Sequence, residues 1–310
     1  MKFGVFLPVS GRAASRDTLM SAARQAESLG YDCVWAADRI VIPWTIETPY
    51  PYSRESTFIV PPDRPFFEPL TCLAFLAGCT EKIRLGMSVM VMPYRHPLYW
   101  AKTAATIDHL SHGRLVLGLG VGWMREEFAA LNAPFAERGE VSDEQLRLLA
   151  RLWSDERASF DGRYYRFENI AFNPKPFQKP RLPIWIGGEG RRAQRRAGVY
   201  GDAWFPYFVR ITPSELTRRF EHVRRCAREA GRDPADVQLA CCLPVELTER
   251  DVPQQEDSLR GSPAQVAEAL MRFRAAGAVH VGLQFMVPYW PARREQIERF
   301  GREVLPAFAS

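Results

Sequence analysis

A chain of 310 residues that is 46% hydrophobic, 12% aromatic and 25% charged can bury a sizeable core, and its composition excludes a disordered chain. It contains no run of about 18 apolar residues, which excludes a membrane-spanning helix, and the short apolar N-terminus reads as a first strand rather than a signal peptide. The net charge of +5 is carried almost wholly by arginine, scattered among acids, and neither a basic stripe nor a known module marks nucleic-acid binding.

In chain order, the apolar run FGVFLP (3–8) leads to an amphipathic helix over 18–30, and YDCVWAAD (31–38) forms a second strand. A long insertion follows, over 40–69. A helix over 69–82 then precedes the strand IRLGMSVMVMP (83–93), and a helix over 100–113 precedes RLVLGLGVG (114–122). After a helix at 142–154 comes a loop-rich stretch over 160–183. The strands LPIWIGG (182–188) and DAWFPYF (202–208) follow, each leading into a helix, at 191–200 and 213–230. VQLACCLPVEL (237–247), a helix over 262–277, VHVGLQFM (279–286) and a terminal helix complete the pattern.

Eight short, near-continuous apolar strands separated by helices predict a (β/α)8 TIM barrel, one domain over residues 1–310, with a lid-like insertion after the second strand. A doubly wound sheet would place GxGxxG after its first strand, and LPVSGR lacks it. The six cysteines contain no CxxC pair, which fits reduced thiols and a cytoplasmic location. His109 and His112 have no third ligand nearby, so no metal site is expected.

In such a barrel, working groups sit at the C-terminal ends of the strands. Gly187, Gly188 and Gly190, between a strand and a helix, let backbone N–H groups approach a phosphate, and Arg191 or Arg192 can add charge; the alternative is a tight turn with solvated arginines. Gly122 and Trp123 end the fourth strand, where small residues admit a flat ring or ease barrel packing. Asp38 closes the second strand as a ligand contact or a cap. His96 is either an acid/base group or a helix cap. The insertion is rich in aromatics, and Trp44, Phe66 and Phe67 are assigned to the substrate pocket.

The segments FGVFLP, ESLGYDCVWAADR, IRLGMSVMVMPYRHP, AKTAATIDHLSHGRLVLGLGVGWMREEF, NPKPFQKPRLPIWIGG and GDAW together resemble the luciferase-like monooxygenase superfamily, and within it the coenzyme F420-dependent oxidoreductases. The resemblance covers roughly the first two thirds of the chain. It implies a homodimeric barrel binding F420, with FMN as the alternative, and hydride transfer between the deazaflavin and a small organic substrate; the aromatic insertion suits an apolar one. It places Asp38 beside the ring, Ser88 and Val89 in a third-strand bulge behind it, and Gly122 and Trp123 along the ring and ribityl chain. It sets Gly187, Gly188 and Gly190 around the phosphate. Arg191, Arg192 and Lys175 are then partners for the anionic tail of F420. Many relatives have Asp-His where this chain has Asp38-Arg39, and some sugar-phosphate-oxidising ones have Glu where Trp123 stands. An arginine cannot serve as an ordinary general base, so Arg39 is expected to orient an anionic substrate or stabilise developing charge. The competing readings are an FMN-dependent monooxygenase and a non-catalytic flavin-binding protein.

Overall fold

The computed structural model describes residues 1–53, 55–58, 60–287 and 289–309. Its eight barrel strands are β1 (Lys2–Phe6), β2 (Cys33–Ala36), β3 (Arg84–Met87), β4 (Leu115–Gly120), β5 (Ile184–Ile186), β6 (Ala203–Trp204), β7 (Gln238–Leu247) and β8 (Ala278–Phe285). Each is parallel to its neighbours. The chain-order pairings run from Val5↔Val34 through Leu85↔Leu115 to Leu243↔Leu283, and Phe3↔Val281 closes the barrel. The expected (β/α)8 architecture is therefore the observed one.

The helices cover this sheet from outside: α1 (Arg16–Ser28), α2 (Pro69–Ala77), α3 (Pro97–Leu110), α4 (Arg125–Ala130), α5 (Arg138–Ser154), α6 (Arg191–Tyr200), α7 (Pro213–Glu229), α8 (Pro263–Ala275) and α9 (Trp290–Glu303). Local sequence explains their limits. Ser15 accepts from the Thr18 N–H at the start of α1, whose buried Leu19, Ala22, Ala23 and Ala26 repeat at helical spacing. Ser262 and Gln265 form a reciprocal capping box on α8.

The barrel interior is aromatic. The Trp35 ring lies 5.3 Å from Trp185 and 4.5 Å from Phe205, filling space that a pore would leave open. Toward the N-terminal end of the barrel, Trp35 Nε1 donates to His280 Nε2 at 3.3 Å, and His280 Nδ1 lies 3.4 Å from Asp32, which also pairs with Arg84 and Lys2. Burial works to raise the Asp32 carboxyl, but His280 and Arg84 outweigh it and hold it well below the usual range. Its position at the strand starts makes this cluster part of the scaffold rather than of the working rim.

Two expectations need revision. The run 83–93 is not one continuous strand: β3 stops at Met87, the bulge that the resemblance implies at Ser88 and Val89 is present with a cis peptide bond between them, and Met90–Val91 pairs with the end of β4. The stretch expected to be loop-rich contains an antiparallel hairpin, Ala158–Asp161 with Arg166–Ile170. Its turn forms because Glu144, on α5, accepts the N–H groups of Arg163, Tyr164 and Tyr165 at 2.8–2.9 Å. Among the described residues, no helix is long and apolar enough to cross a membrane.

Candidate functional site

A cavity of about 1350 Å³ opens at the C-terminal ends of the strands. Asp38, Arg39, Ser88, Val89, Gly122, Trp123, Gly187 and Gly188 all line it, so the barrel gathers residues that lie far apart in sequence. The insertion supplies an aromatic wall. Tyr50 packs against Tyr52, Phe58 and Trp123 with ring centres 5.1–5.5 Å apart, and Tyr52 meets Tyr207 at 5.5 Å.

Two buried carboxylates organise the polar part of this rim. The Asp38 side chain is fully buried; it accepts from both Nη atoms of Arg95, at 2.7 and 2.8 Å, and from the Val91 N–H at 2.8 Å. Burial disfavours the Arg95 cation, yet Asp38 and then Glu68 more than offset this and raise its pKa. On α4, Glu127 accepts from Arg39 Nη1 at 2.9 Å, the Tyr94 hydroxyl at 2.8 Å and the Ile40 N–H at 2.7 Å. Its neighbour Glu126 accepts the N–H groups of Glu47 and Thr48. Consecutive acids on one short helix thus anchor the start of the insertion.

The opposite rim is built from small residues. Val89 reaches between β4 and β5, with Cγ2 2.5 Å from where a Cβ on Gly120 would stand and Cγ1 2.7 Å from the same position on Gly187. A Cβ on Gly118 would lie 1.8 Å from the Met87 carbonyl oxygen, so no side chain fits beside the bulge. Beyond β5, Gly188 has φ +97°, a conformation suited to glycine. The Gly188 carbonyl accepts from Trp204 Nε1 at 2.9 Å, and the Glu189 carbonyl accepts from Gln194 Nε2 at 2.8 Å. The first turn of α6 has no side-chain cap, which leaves donors at its positive end for an anion.

Glu189 in this turn is raised to about 7 by burial, with Arg219 pulling weakly the other way. An acid raised on folding binds its proton more tightly in the folded state, so it weakens stability as pH climbs from about 4.5, fully so above about 7. Glu189→Gln is therefore expected to melt higher than the parent at pH 8 and to match it near pH 4.5. Equal melting temperatures at both pH values would contradict this account.

Several candidates lie elsewhere. His96 is exposed outside the cavity, at the N-cap of α3 with its ring edge on Tyr165 at 5.5 Å; the preceding Arg95 turns inward to Asp38 and His96 turns away. The structure thus does not support an acid/base role for it. Trp44 is 82% exposed and does not line the cavity, because Glu126 and Glu127 hold its segment along α4. Phe66 does line the cavity. Phe67 does not: it follows the Ser10↔Phe66 bridge, and adjacent extended residues face opposite ways.

Gly190 and Arg191 border a separate groove of about 520 Å³ between α6 and α7, together with Arg218, Arg219 and His222. Lys175 is at the other end of the barrel, in the segment entering β5, donating to the Leu152 and Asp155 carbonyls. Arg39 lines the cavity but is committed to Glu127 and packs against the Trp123 and Phe58 rings at 4.9 and 5.2 Å. Sequence reasoning missed Arg95, Glu127 and Tyr207. The adjacent acids of MREEF, opening a helix after a glycine-rich strand, were the one available signal.

Comparison with known proteins gives consistent likenesses. The model of the luciferase-like monooxygenase family matches residues 1–260. A phthiodiolone/phenolphthiodiolone dimycocerosates ketoreductase of Mycobacterium bovis (strain BCG / Pasteur 1173P2) is 32% identical over 244 residues, which is 77% of this chain and 63% of that protein. The chain thus covers less than two thirds of that relative's length. Among solved structures, an F420-dependent secondary alcohol dehydrogenase in complex with an F420–acetone adduct aligns with TM-score 0.79 at 20% identity, over 100% of this chain and 99% of the other. A coenzyme F420-dependent tetrahydromethanopterin reductase from Methanopyrus kandleri aligns with TM-score 0.77 at 18% identity, covering 99% of each chain.

Proposed function

Since this chain belongs to the luciferase-like monooxygenase family, we propose that it is an oxidoreductase using coenzyme F420, moving hydride between the deazaflavin and a small, largely apolar organic substrate. One observation carries the proposal: the Gly187–Gly188 turn, ahead of an uncapped α6, opens onto an aromatic-walled cavity large enough for a tricyclic ring and a second molecule. The site fits the group on its own chemistry. Glycines leave the backbone bare for a phosphate, the Val89 bulge would back the ring, and Gly122 and Trp123 would border the chain between them. Bound there, a reduced deazaflavin supplies hydride from its central ring carbon.

The protein's own residues position and enclose. Tyr50, Tyr52 and Phe58 exclude water over the open face of the cavity. The Asp38–Arg95 pair fixes the floor of the rim beside the Ser88–Val89 bulge, since Arg95 and the Val91 N–H hold that carboxylate in one orientation. Reduction of a carbonyl also needs a proton at oxygen. The Tyr52 and Tyr207 side chains line the cavity and are protonated at neutral pH; burial raises the Tyr52 hydroxyl to about 12 and the Tyr207 hydroxyl above its usual range, which makes them weaker acids but leaves both able to hydrogen-bond an oxygen in the cavity. The likeness to a ketoreductase favours this direction. The same reading includes a homodimer in the cytoplasm, and assigns the groove beside Gly190 and Arg191 to the anionic tail of F420.

Titration of the purified chain with F420 and with FMN, followed by fluorescence, tests the cofactor. Saturable F420 binding is expected. Tight FMN binding without F420 binding would replace the proposal with an FMN-dependent monooxygenase, and binding without turnover over a broad carbonyl panel would favour a non-catalytic role.

A further inference from the structure

Arg293 stands apart from the other arginines around the cavity. It lies in the first turn of α9, just past the end of β8, and lines the cavity together with Gln284, Met286, Tyr289 and Trp290. Its Nη2 donates to the Val287 carbonyl at 3.1 Å, and its buried Nε, like that of Arg39, has no hydrogen-bond partner among the described residues. Among the described residues, the remaining cavity-lining guanidinium groups are either paired or wet. Arg39 has Glu127 at 2.9 Å, Arg260 has Glu246 at 3.0 Å, Arg210 has Asp257 at 3.5 Å and Arg64 has Asp63 at 3.7 Å, whereas Arg12 is exposed. Burial depresses the Arg293 pKa, and no carboxylate among the described residues forms an ion pair with it. Arg293 is half-buried, and a cation partly withdrawn from water without a counter-charge carries a cost that is recovered when an anion arrives in the same space.

We infer that the substrate bears a carboxylate on an otherwise apolar body, and that Arg293 receives it at the β8 side of the cavity. The guanidinium fork suits a carboxylate, and the uncapped N-terminus of α9 adds positive potential from the same direction. The apolar body then lies toward Tyr52, Tyr207 and the Val89 bulge, which sets its polar end away from the Gly188 turn. This rests on the cavity being the substrate site of the oxidoreductase proposed above, and it makes Arg293 a specificity-determining residue.

Benzoate and benzamide, nearly equal in shape and differing in charge, are the probes, titrated calorimetrically into the full chain and into Arg293→Gln and Arg293→Lys. Benzoate is expected to bind the parent at least tenfold more tightly than benzamide. That gap should vanish in Arg293→Gln and survive in part in Arg293→Lys, with circular dichroism confirming that both variants fold. Equal affinities in the parent, no benzoate binding, or a gap that persists in Arg293→Gln would overturn the inference. F420 titration of the same proteins separates the two ideas: failure of the parent to bind F420 removes the cofactor reading, whereas a parent that binds F420 but takes benzoate and benzamide equally removes only the role of Arg293.

Discussion

Glu127→Ala is expected to destabilise the chain by about 3–5 kcal/mol, because removing one member of a buried ion pair strands the other. Arg39 is 6% exposed and would keep its charge with no carboxylate to face. The Tyr94 hydroxyl and the Ile40 N–H would lose their acceptor in the same step, adding the cost of unsatisfied buried donors. Glu127→Gln should fall between the parent and alanine. Its amide oxygen can still receive one or two donors, but its NH₂ must face a group that also donates. A drop in melting temperature of roughly 5–10 °C is expected for alanine, on the usual relation between stability and midpoint. The insertion should loosen as well, so limited proteolysis should cut within residues 40–60 sooner in the variant. A melting temperature within 1–2 °C of the parent, on the order of experimental scatter, would show that Arg39 finds another partner and that this network does not set the lid.

Much of the scaffold was legible because a parallel barrel imposes a strong pattern. Strands covered on both sides must be apolar throughout, and each must be followed by an amphipathic helix, so order and spacing sufficed to place them. The Gly188 turn was readable for a related reason: glycine between a strand and a helix marks a backbone demand that no side chain satisfies. What failed to show was pairing across the fold. Asp38 finds Arg95 at a separation of 57 residues and Arg39 finds Glu127 at 88, and no local rule links those positions. The insertion illustrates the same limit. Its aromatic content announced a wall, but Tyr50 and Phe58 face inward while Trp44 faces water, because hydrogen bonds from Glu126 and Glu127 fix the path of the chain. The hairpin at 158–170 was missed because its strands are short and largely exposed, and the carboxylate that shapes its turn sits on α5.

The arginine-borne charge follows the same logic. Composition said only that the chain is arginine-rich. The structure divides that charge into groups neutralised in place, such as Arg39, Arg95 and Arg196, and a few, Arg191 and Arg293 among them, that border a cavity or groove and form no ion pair among the described residues. Electrostatic recognition of a ligand has to come from the second set, since a neutralised guanidinium offers little net field.

Gly188→Asp is expected to abolish F420 binding, raising the dissociation constant at least 100-fold, and its comparison with Gly188→Asn isolates the cause. Both substitutions place a Cβ about 3.0 Å from that of Ala193 and force an L-residue to φ +97°, so they share the steric and conformational penalty. They differ in charge. The aspartate carboxylate would lie at the positive end of α6, next to Glu189, where the proposed phosphate is held by backbone donors. It would compete for those donors and repel the incoming anion, whereas asparagine keeps a similar shape and no charge. Fluorescence titration should therefore rank the parent first, Gly188→Asn about tenfold weaker, and Gly188→Asp without measurable binding. The aspartate defect should also shrink as pH falls toward 4, where its carboxyl takes up a proton, while the asparagine defect stays constant. Equal losses in the two variants would assign the effect to backbone strain alone, and unchanged affinity in both would move the phosphate away from this turn.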